Sequence, residues 1–251
     1  MKRYIKNMLL ASAAVMTLCG LSACIDETVP TDEATPATIK TDSKSLSYLA
    51  NSLPSFLTTW NTYNSGDYTQ DWGYPCQMYM RDLLCADFPQ SDNSFNYWDY
   101  IEDGSSLRYA YYYTFYYYYV FIKNANGVIS VGKDAVDGGN EAAKKYLGQG
   151  YGYRAMLYLD LERLFEYKKT GVSYLDKQAD SIGCMGITIP IVTDKTTKVE
   201  LKNNPCAPFY TMNRFIMTDL NRAEENLAGY NREHKAFMDQ SVIYGLKTRL
   251  W

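Results

Sequence analysis

The stretch YAYYYTFYYYYVFIKNANGVISV, residues 109–131, decides the fold. Its first half, from Tyr109 to Phe121, is almost unbroken aromatic, and aromatic residues favour strands one by one. The run is too long for a single strand, however, and Ser105 or Ser106 stands where a helix cap is needed. Beyond it, Ile122, Ala125 and Ile129 return at helical spacing. The reading is a helix over residues 106–131. A helix aromatic all round its first half is expected to be buried on most sides, so packing between helices is the expected role of Tyr109 to Tyr119.

Other helical patterns lie to either side. In residues 42–61, Leu46, Leu49, Leu53, Phe56, Leu57 and Trp60 recur close to i, i+3, i+4, i+7, with Pro54 expected to kink or divide the helix. Residues 66–104 are rich in Gly, Pro, Asp, Asn and Ser and read as loop, apart from one short helix over 78–88. A helix is predicted over 140–167 with Asn140 as N-cap, although Gly148, Gly150 and Gly152 each cost about 1 kcal/mol in a helix interior. Glycines kept at that cost admit a neighbouring helix. Residues 171–204 form an irregular crossing with an extended piece at 187–192, and two more helices are predicted, over 211–230 and from 238 onward. The fold class is all-α, with tetratricopeptide-like helix pairs of irregular period and long irregular loops.

The N-terminus carries a different signal. Lys2, Arg3 and Lys6 precede an apolar stretch at 8–18, and Leu21-Ser22-Ala23-Cys24 resembles a bacterial lipobox. A spanning helix needs about 20 apolar residues, more than this stretch holds. Residues 1–23 therefore read as a lipoprotein signal peptide, with Cys24 as the lipidated first residue of the mature protein. Residues 24–40, rich in Thr, Pro, Asp and Glu, read as an acidic flexible tether, and 41–251 as the helical domain. Losing three basic residues and no acid with the signal moves the formal charge from −3 to −6, and no basic run follows, which excludes a nucleic-acid binder that tracks phosphates. At Trp251 the pattern Val242, Ile243, Leu246, Leu250 is still helical, so the domain reads as truncated at its C-terminus.

Little in the sequence points to catalysis. His234, the single histidine, sits in a polar turn with no second ligand at metal spacing, so no metal and no cofactor is expected. The glycines at 148–152 lack the strand before and the Gly-Lys-Ser/Thr ending of a phosphate loop. No Gly-x-Ser-x-Gly occurs. Carboxylate pairs such as Asp99 with Glu102 or Asp160 with Glu162 match glycosidase chemistry in type alone; Asp160 and Glu162 read more simply as charges on a helix surface. Arg154 and Asp219 read as capping and interhelical pairing. Cys76, Cys85, Cys184 and Cys206 allow three disulfide connectivities, with Cys76–Cys85 and Cys184–Cys206 the pairings to consider and free thiols the alternative.

The ligand candidate is the loop at 89–104. Asn93, Asn96, Tyr97, Trp98 and Tyr100 combine aromatic faces, which stack on the C–H faces of sugar rings, with amides that give directional hydrogen bonds. The alternative reading of Trp98 is a local core plug.

Four ordered stretches give the helical domain a resemblance. Phe115, Tyr119, Ile122 and Ala125-Asn126 form the first; Gly148-Gln149-Gly150, Arg154-Ala155, Tyr158 and Leu161 the second. Ile216, Asp219-Leu220, Ala223 and Leu227 form the third, and residues 245–250, GLKTRL, the fourth. Together, behind a lipobox and the acidic pair Asp26-Glu27, they resemble the SusD/RagB family of outer-membrane nutrient-binding lipoproteins of Bacteroidetes. Gln149 stands where the family has glutamate, and Gly150 and Gly245 where it has alanine. The resemblance implies a non-enzymatic lipoprotein, anchored in the outer membrane and exposed at the cell surface, that binds a glycan and delivers it to a SusC-like TonB-dependent transporter. It implies a RagB-like peptide ligand as the alternative. A carbohydrate-active hydrolase and a structural adhesin are the readings from other classes.

Overall fold

The structure, a computed structural model, describes residues 43–58, 73–84 and 107–251. The signal peptide, Cys24, the tether and the whole 89–104 loop lie outside the described residues.

Helix α1, Ser43–Thr58, continues through Pro54 rather than dividing there. Its inner face, Leu46, Ala50 and Leu53, is buried. Helix α2, Tyr74–Leu84, starts four residues before the predicted 78, because Pro75 falls in the first turn, where a missing N–H leaves no bond unmade. Helix α3, Leu107–Asp137, carries the tyrosine run. Tyr117, Tyr118, Phe121, Ile122, Ala125 and Ile129 are completely buried, whereas Tyr112, Phe115 and Tyr116 keep 61, 37 and 45 % of their surface exposed. Burial on most sides is thus corrected to burial on one: the 3.6-residue period turns part of the run away from the neighbouring helices.

A 3₁₀ turn, Glu141–Ala143, precedes helix α4, Lys144–Phe165. Asn140 stands ahead of that tighter turn and its side chain makes no capping bond, so the predicted N-cap is corrected. From residue 147 to 162 every residue of α4 except Met156 is buried, which makes it the central helix. Its glycines face three different neighbours. A Cβ would lie 2.6 Å from Leu227 Cγ at Gly148, 2.8 Å from Ile129 Cγ1 at Gly150 and 2.6 Å from Met238 Sδ at Gly152.

The crossing segment holds α5, Ser173–Ser181, strand β1, Ile187–Pro190, α6, Lys198–Lys202, and strand β2, Cys206–Pro208. The strands pair antiparallel with a bulge. Tyr119 Oη donates to the Pro190 carbonyl at 2.5 Å, and Tyr158 Oη donates to the Val192 carbonyl at 3.0 Å while accepting its N–H at 2.7 Å. These two phenols fix an otherwise irregular chain to α3 and α4. Cys184 and Cys206 carry free thiols, so the pairing considered between them is absent, and Cys184 Sγ approaches the Ala179 carbonyl instead. Cys76 is buried, and Cys85 lies outside the described residues.

Helices α7, Phe209–Asn226, and α8, Gln240–Leu250, complete the body. Met212, Ile216, Leu220 and Ala223 present one buried stripe on α7 toward α4. The predicted helix to 230 stops earlier, in a turn where Gly229 adopts φ +73°. Asp239 caps α8 by accepting the Val242 N–H at 3.1 Å.

A buried polar network joins α3, α4 and α7. Arg154 donates to both oxygens of Asp219, at 2.7 and 2.9 Å, to Asn126 Oδ1 at 2.7 Å and to Asp194 Oδ1 at 3.0 Å. Its guanidinium lies between the rings of Tyr151 and Phe215, 5.5 and 5.2 Å from their centroids. The role read for Arg154 and Asp219, interhelical pairing, is what the geometry shows. Gln149 clamps the turn before α8: its amide donates to the Met238 carbonyl at 2.6 Å and accepts the Met238 N–H at 2.9 Å. Among the described residues, no helix is long and apolar enough to cross a membrane.

Candidate ligand-binding site

The predicted ligand residues Asn93, Asn96, Tyr97, Trp98 and Tyr100 lie outside the described residues, as do Asp99 and Glu102. The two helices that flank their segment, α2 before it and α3 after it, are described. Besides burying Cys76, Gln77 and Met80, α2 is tied to the body through a single carboxylate.

Asp160, in the middle of α4, is completely buried. Tyr74 Oη donates to its Oδ2 at 2.7 Å and Tyr118 Oη at 3.2 Å. Arg81 Nη2 lies 3.4 Å from the same oxygen and also donates to Tyr118 Oη, and Arg249 Nη2 lies 3.2 Å from Oδ1. One acid thus gathers two groups from α2, one from α3 and one from α8. Burial, followed by the Asp160 charge, pushes the Tyr74 phenol up to about 12. The phenol therefore stays protonated and donates across the physiological range.

The reading of Asp160 and Glu162 as helix-surface charges is corrected, since both are buried. A signal for Asp160 was present: it falls on the stripe of Tyr153, Leu157 and Leu161, where a lone acid has to find partners. Those partners are up to 89 residues away and carry no local pattern. Glu162 Oε1 accepts from Asn213 Nδ2 at 3.2 Å, and burial raises its carboxyl. Two acids at i and i+2 on a helix face different directions, and Asp160 is enclosed by its partners, so these two do not form a pair across a scissile bond. His234 is exposed in its turn and accepts the Ala236 N–H through Nδ1. No group of three or more His, Cys, Asp or Glu that could hold a metal ion occurs among the described residues.

On its exposed face, α3 presents an aromatic surface. The Tyr112 and Tyr116 rings are parallel to within 1° with centroids 6.2 Å apart, and Phe115 lies against Tyr119 at 4.3 Å and edge-on to Phe165 at 5.8 Å. Exposed, mutually ordered rings suit the apolar faces of ring-shaped polar ligands. The buried members of the same run supply the rigid support: Tyr117 Oη donates to the Phe56 carbonyl of α1 at 2.6 Å.

No family model matches the sequence, and no curated protein matches it. Solved structures do. A SusD-like carbohydrate binding protein from Bacteroides vulgatus is 21 % identical and superposes with a TM-score of 0.61 over 82 % of this chain and 40 % of its own. A SusD-like carbohydrate binding protein from Bacteroides fragilis is 15 % identical, with a TM-score of 0.53 over 85 % of this chain and 37 % of its own. A further SusD-like protein from Bacteroides fragilis is 16 % identical, with a TM-score of 0.51 over 88 % and 37 %. The chain has the SusD-like helical fold, and it spans about two fifths of the length of the structures it matches.

Proposed function

We propose that this chain is the N-terminal portion of a SusD-like surface lipoprotein that binds a glycan without cleaving it and passes it to a SusC-like TonB-dependent transporter. The observation that carries the reading is the fold shared with SusD-like proteins, two of them described as carbohydrate binding, together with the four ordered helical stretches that resemble the family. The Asp160 cluster supports it by fixing α2 and α3, the described helices that precede and follow residues 89–104 in the sequence. Trp98, Tyr97 and Tyr100 then serve as stacking platforms, and Asn93 and Asn96 as hydrogen-bonding partners for sugar hydroxyls.

Cys24 is the anchor in this scheme. Acylation there, at roughly 0.8 kcal/mol per buried CH₂, holds the protein at the outer membrane, and residues 24–40 leave it slack beside its transporter. The test is a glycan array probed with the full-length protein, followed by incubation with each bound glycan. Binding with intact glycan is expected. Turnover would transfer the protein to the hydrolases, and capture of peptides with no glycan bound would replace the ligand class. Purification of the tagged, lipidated protein from its native membrane should bring a large β-barrel with it; an adhesin would come alone.

A further inference from the structure

Away from the Asp160 seat, a cavity of about 180 Å³ opens between α1, the first turns of α4 and the turn that joins α7 to α8. Ser47 and Asn51 reach it from one side of α1, Lys145, Tyr146 and Gln149 from α4, and Tyr230, Glu233 and Phe237 from the turn. Three features define what it can hold. Tyr146, Tyr230 and Phe237 give it aromatic walls, with the Lys145 ammonium 4.9 Å from the Tyr146 centroid. The side chains of Ser47, Asn51, Lys145 and Glu233 make no hydrogen bond or ion pair with the described residues, so their donors and acceptors are available to a guest. Gln149, by contrast, has both ends of its amide committed to Met238 and serves as floor.

The one cation and one anion in the lining balance, which disfavours a strongly charged guest. Hydroxyl, amide, ammonium and carboxylate together offer donors and acceptors to groups that do both, as a sugar hydroxyl does. The volume lies below the roughly 300–1,000 Å³ of sites for larger small molecules, so it fits one ring and not a chain of them. From these residues we infer that the cavity is a second carbohydrate site, one that takes a single neutral sugar ring and is separate from the 89–104 loop. It goes beyond the proposed capture of a glycan, and it does not depend on where the main chain of that glycan binds.

The experiment is saturation-transfer NMR on the full-length protein with D-glucose, D-galactose, D-mannose, D-xylose and N-acetyl-D-glucosamine, each alone. At least one should receive transfer. Tyr146→Ala removes a wall, and Asn51→Trp, an exposed change on α1 that leaves the core untouched, fills the mouth; each should cut the transfer at least tenfold while Trp98→Ala retains it. Circular dichroism and a thermal melt verify folding, and Asn51→Trp alone decides the matter if Tyr146→Ala does not fold. Transfer that survives Asn51→Trp, or transfer from none of the five sugars, overturns the inference. Transfer lost in Trp98→Ala but kept in Asn51→Trp also overturns it, and leaves the proposed glycan capture standing.

Discussion

Replacing Arg154 by methionine should be among the most damaging single changes in this protein. The substitution keeps the aliphatic stem that fills the space between Tyr151 and Phe215 but deletes four donor contacts: two to Asp219, one to Asn126 and one to Asp194. Asp194 is partly exposed and can turn to water, and Asn126 keeps its bond to the Val192 carbonyl. Asp219 has no such escape. It is completely buried, and its remaining cation, Arg222, is half exposed at 3.8 Å. Breaking a buried pair in this way costs about 3–5 kcal/mol, which is roughly a 10 °C drop in melting temperature for a domain of this size. The double change Arg154→Met with Asp219→Leu removes the stranded charge and should recover most of that loss. Chemical denaturation of the four proteins of this cycle, followed by circular dichroism, supplies the measurement. A loss under about 1 kcal/mol for the single change, or a double variant no better than the single, would refute the network as the joint between the three helices.

Three further outcomes follow from individual contacts. Gln149→Glu sets a carboxylate against the Met238 carbonyl and should cost about 2–3 kcal/mol near neutral pH. Burial raises the new carboxyl in the folded state, so the bond pair is fully restored below the unfolded value of about 4.3 and lost as pH rises; denaturation midpoints that shift with pH no more than those of the parent would contradict it. Gly150→Ala, whose Cβ meets Ile129 at 2.8 Å, should lower the melting temperature, whereas Gly245→Ala, with nothing within 4 Å, should raise stability by up to about 1 kcal/mol. Equal effects at the two positions would show that α3 and α4 are not in that close contact. In alkali, Tyr74, Tyr117, Tyr118, Tyr119, Tyr153 and Tyr158 all have phenols raised by burial, Tyr74 to about 12. Their contribution is complete below the unfolded value of about 10 and disappears as pH rises through the folded values, so tyrosinate absorbance should increase in a second step together with loss of helix. A single step with helix intact would place these phenols at the surface.

The helices were legible where period and punctuation agreed. Met212, Ile216, Leu220 and Ala223 lie on one buried stripe of α7 at the spacing the sequence displays. The three close glycines of α4 were readable as contacts because each is unfavourable in an isolated helix. Boundaries were less legible. The 3₁₀ turn after Asn140 and the start of α2 at Tyr74 depend on a turn of backbone that no single residue announces. The tyrosine run gave away its helix but not its exposed face, since identical side chains carry no phase and only the placement of α1 and α4 separates Tyr112 and Tyr116 from Tyr117 and Tyr118. The Asp160 cluster was hidden for a related reason: the hydrogen bonds to Asp160 span 42 to 89 residues and are created by the fold. Gln149, first seen as a departure from the family pattern, has a reason in the chain itself, because at neutral pH an amide, unlike a carboxylate, can both donate to and accept from the Met238 backbone.

Glycan capture by the 89–104 loop is tested most directly by affinity electrophoresis of the full-length protein and of Trp98→Ala through gels that contain the glycan the protein captures best. The native protein should be retarded and Trp98→Ala should migrate at least tenfold closer to its mobility in glycan-free gel, with both proteins melting at the same temperature. Equal retardation of the two would remove the 89–104 loop from the binding surface.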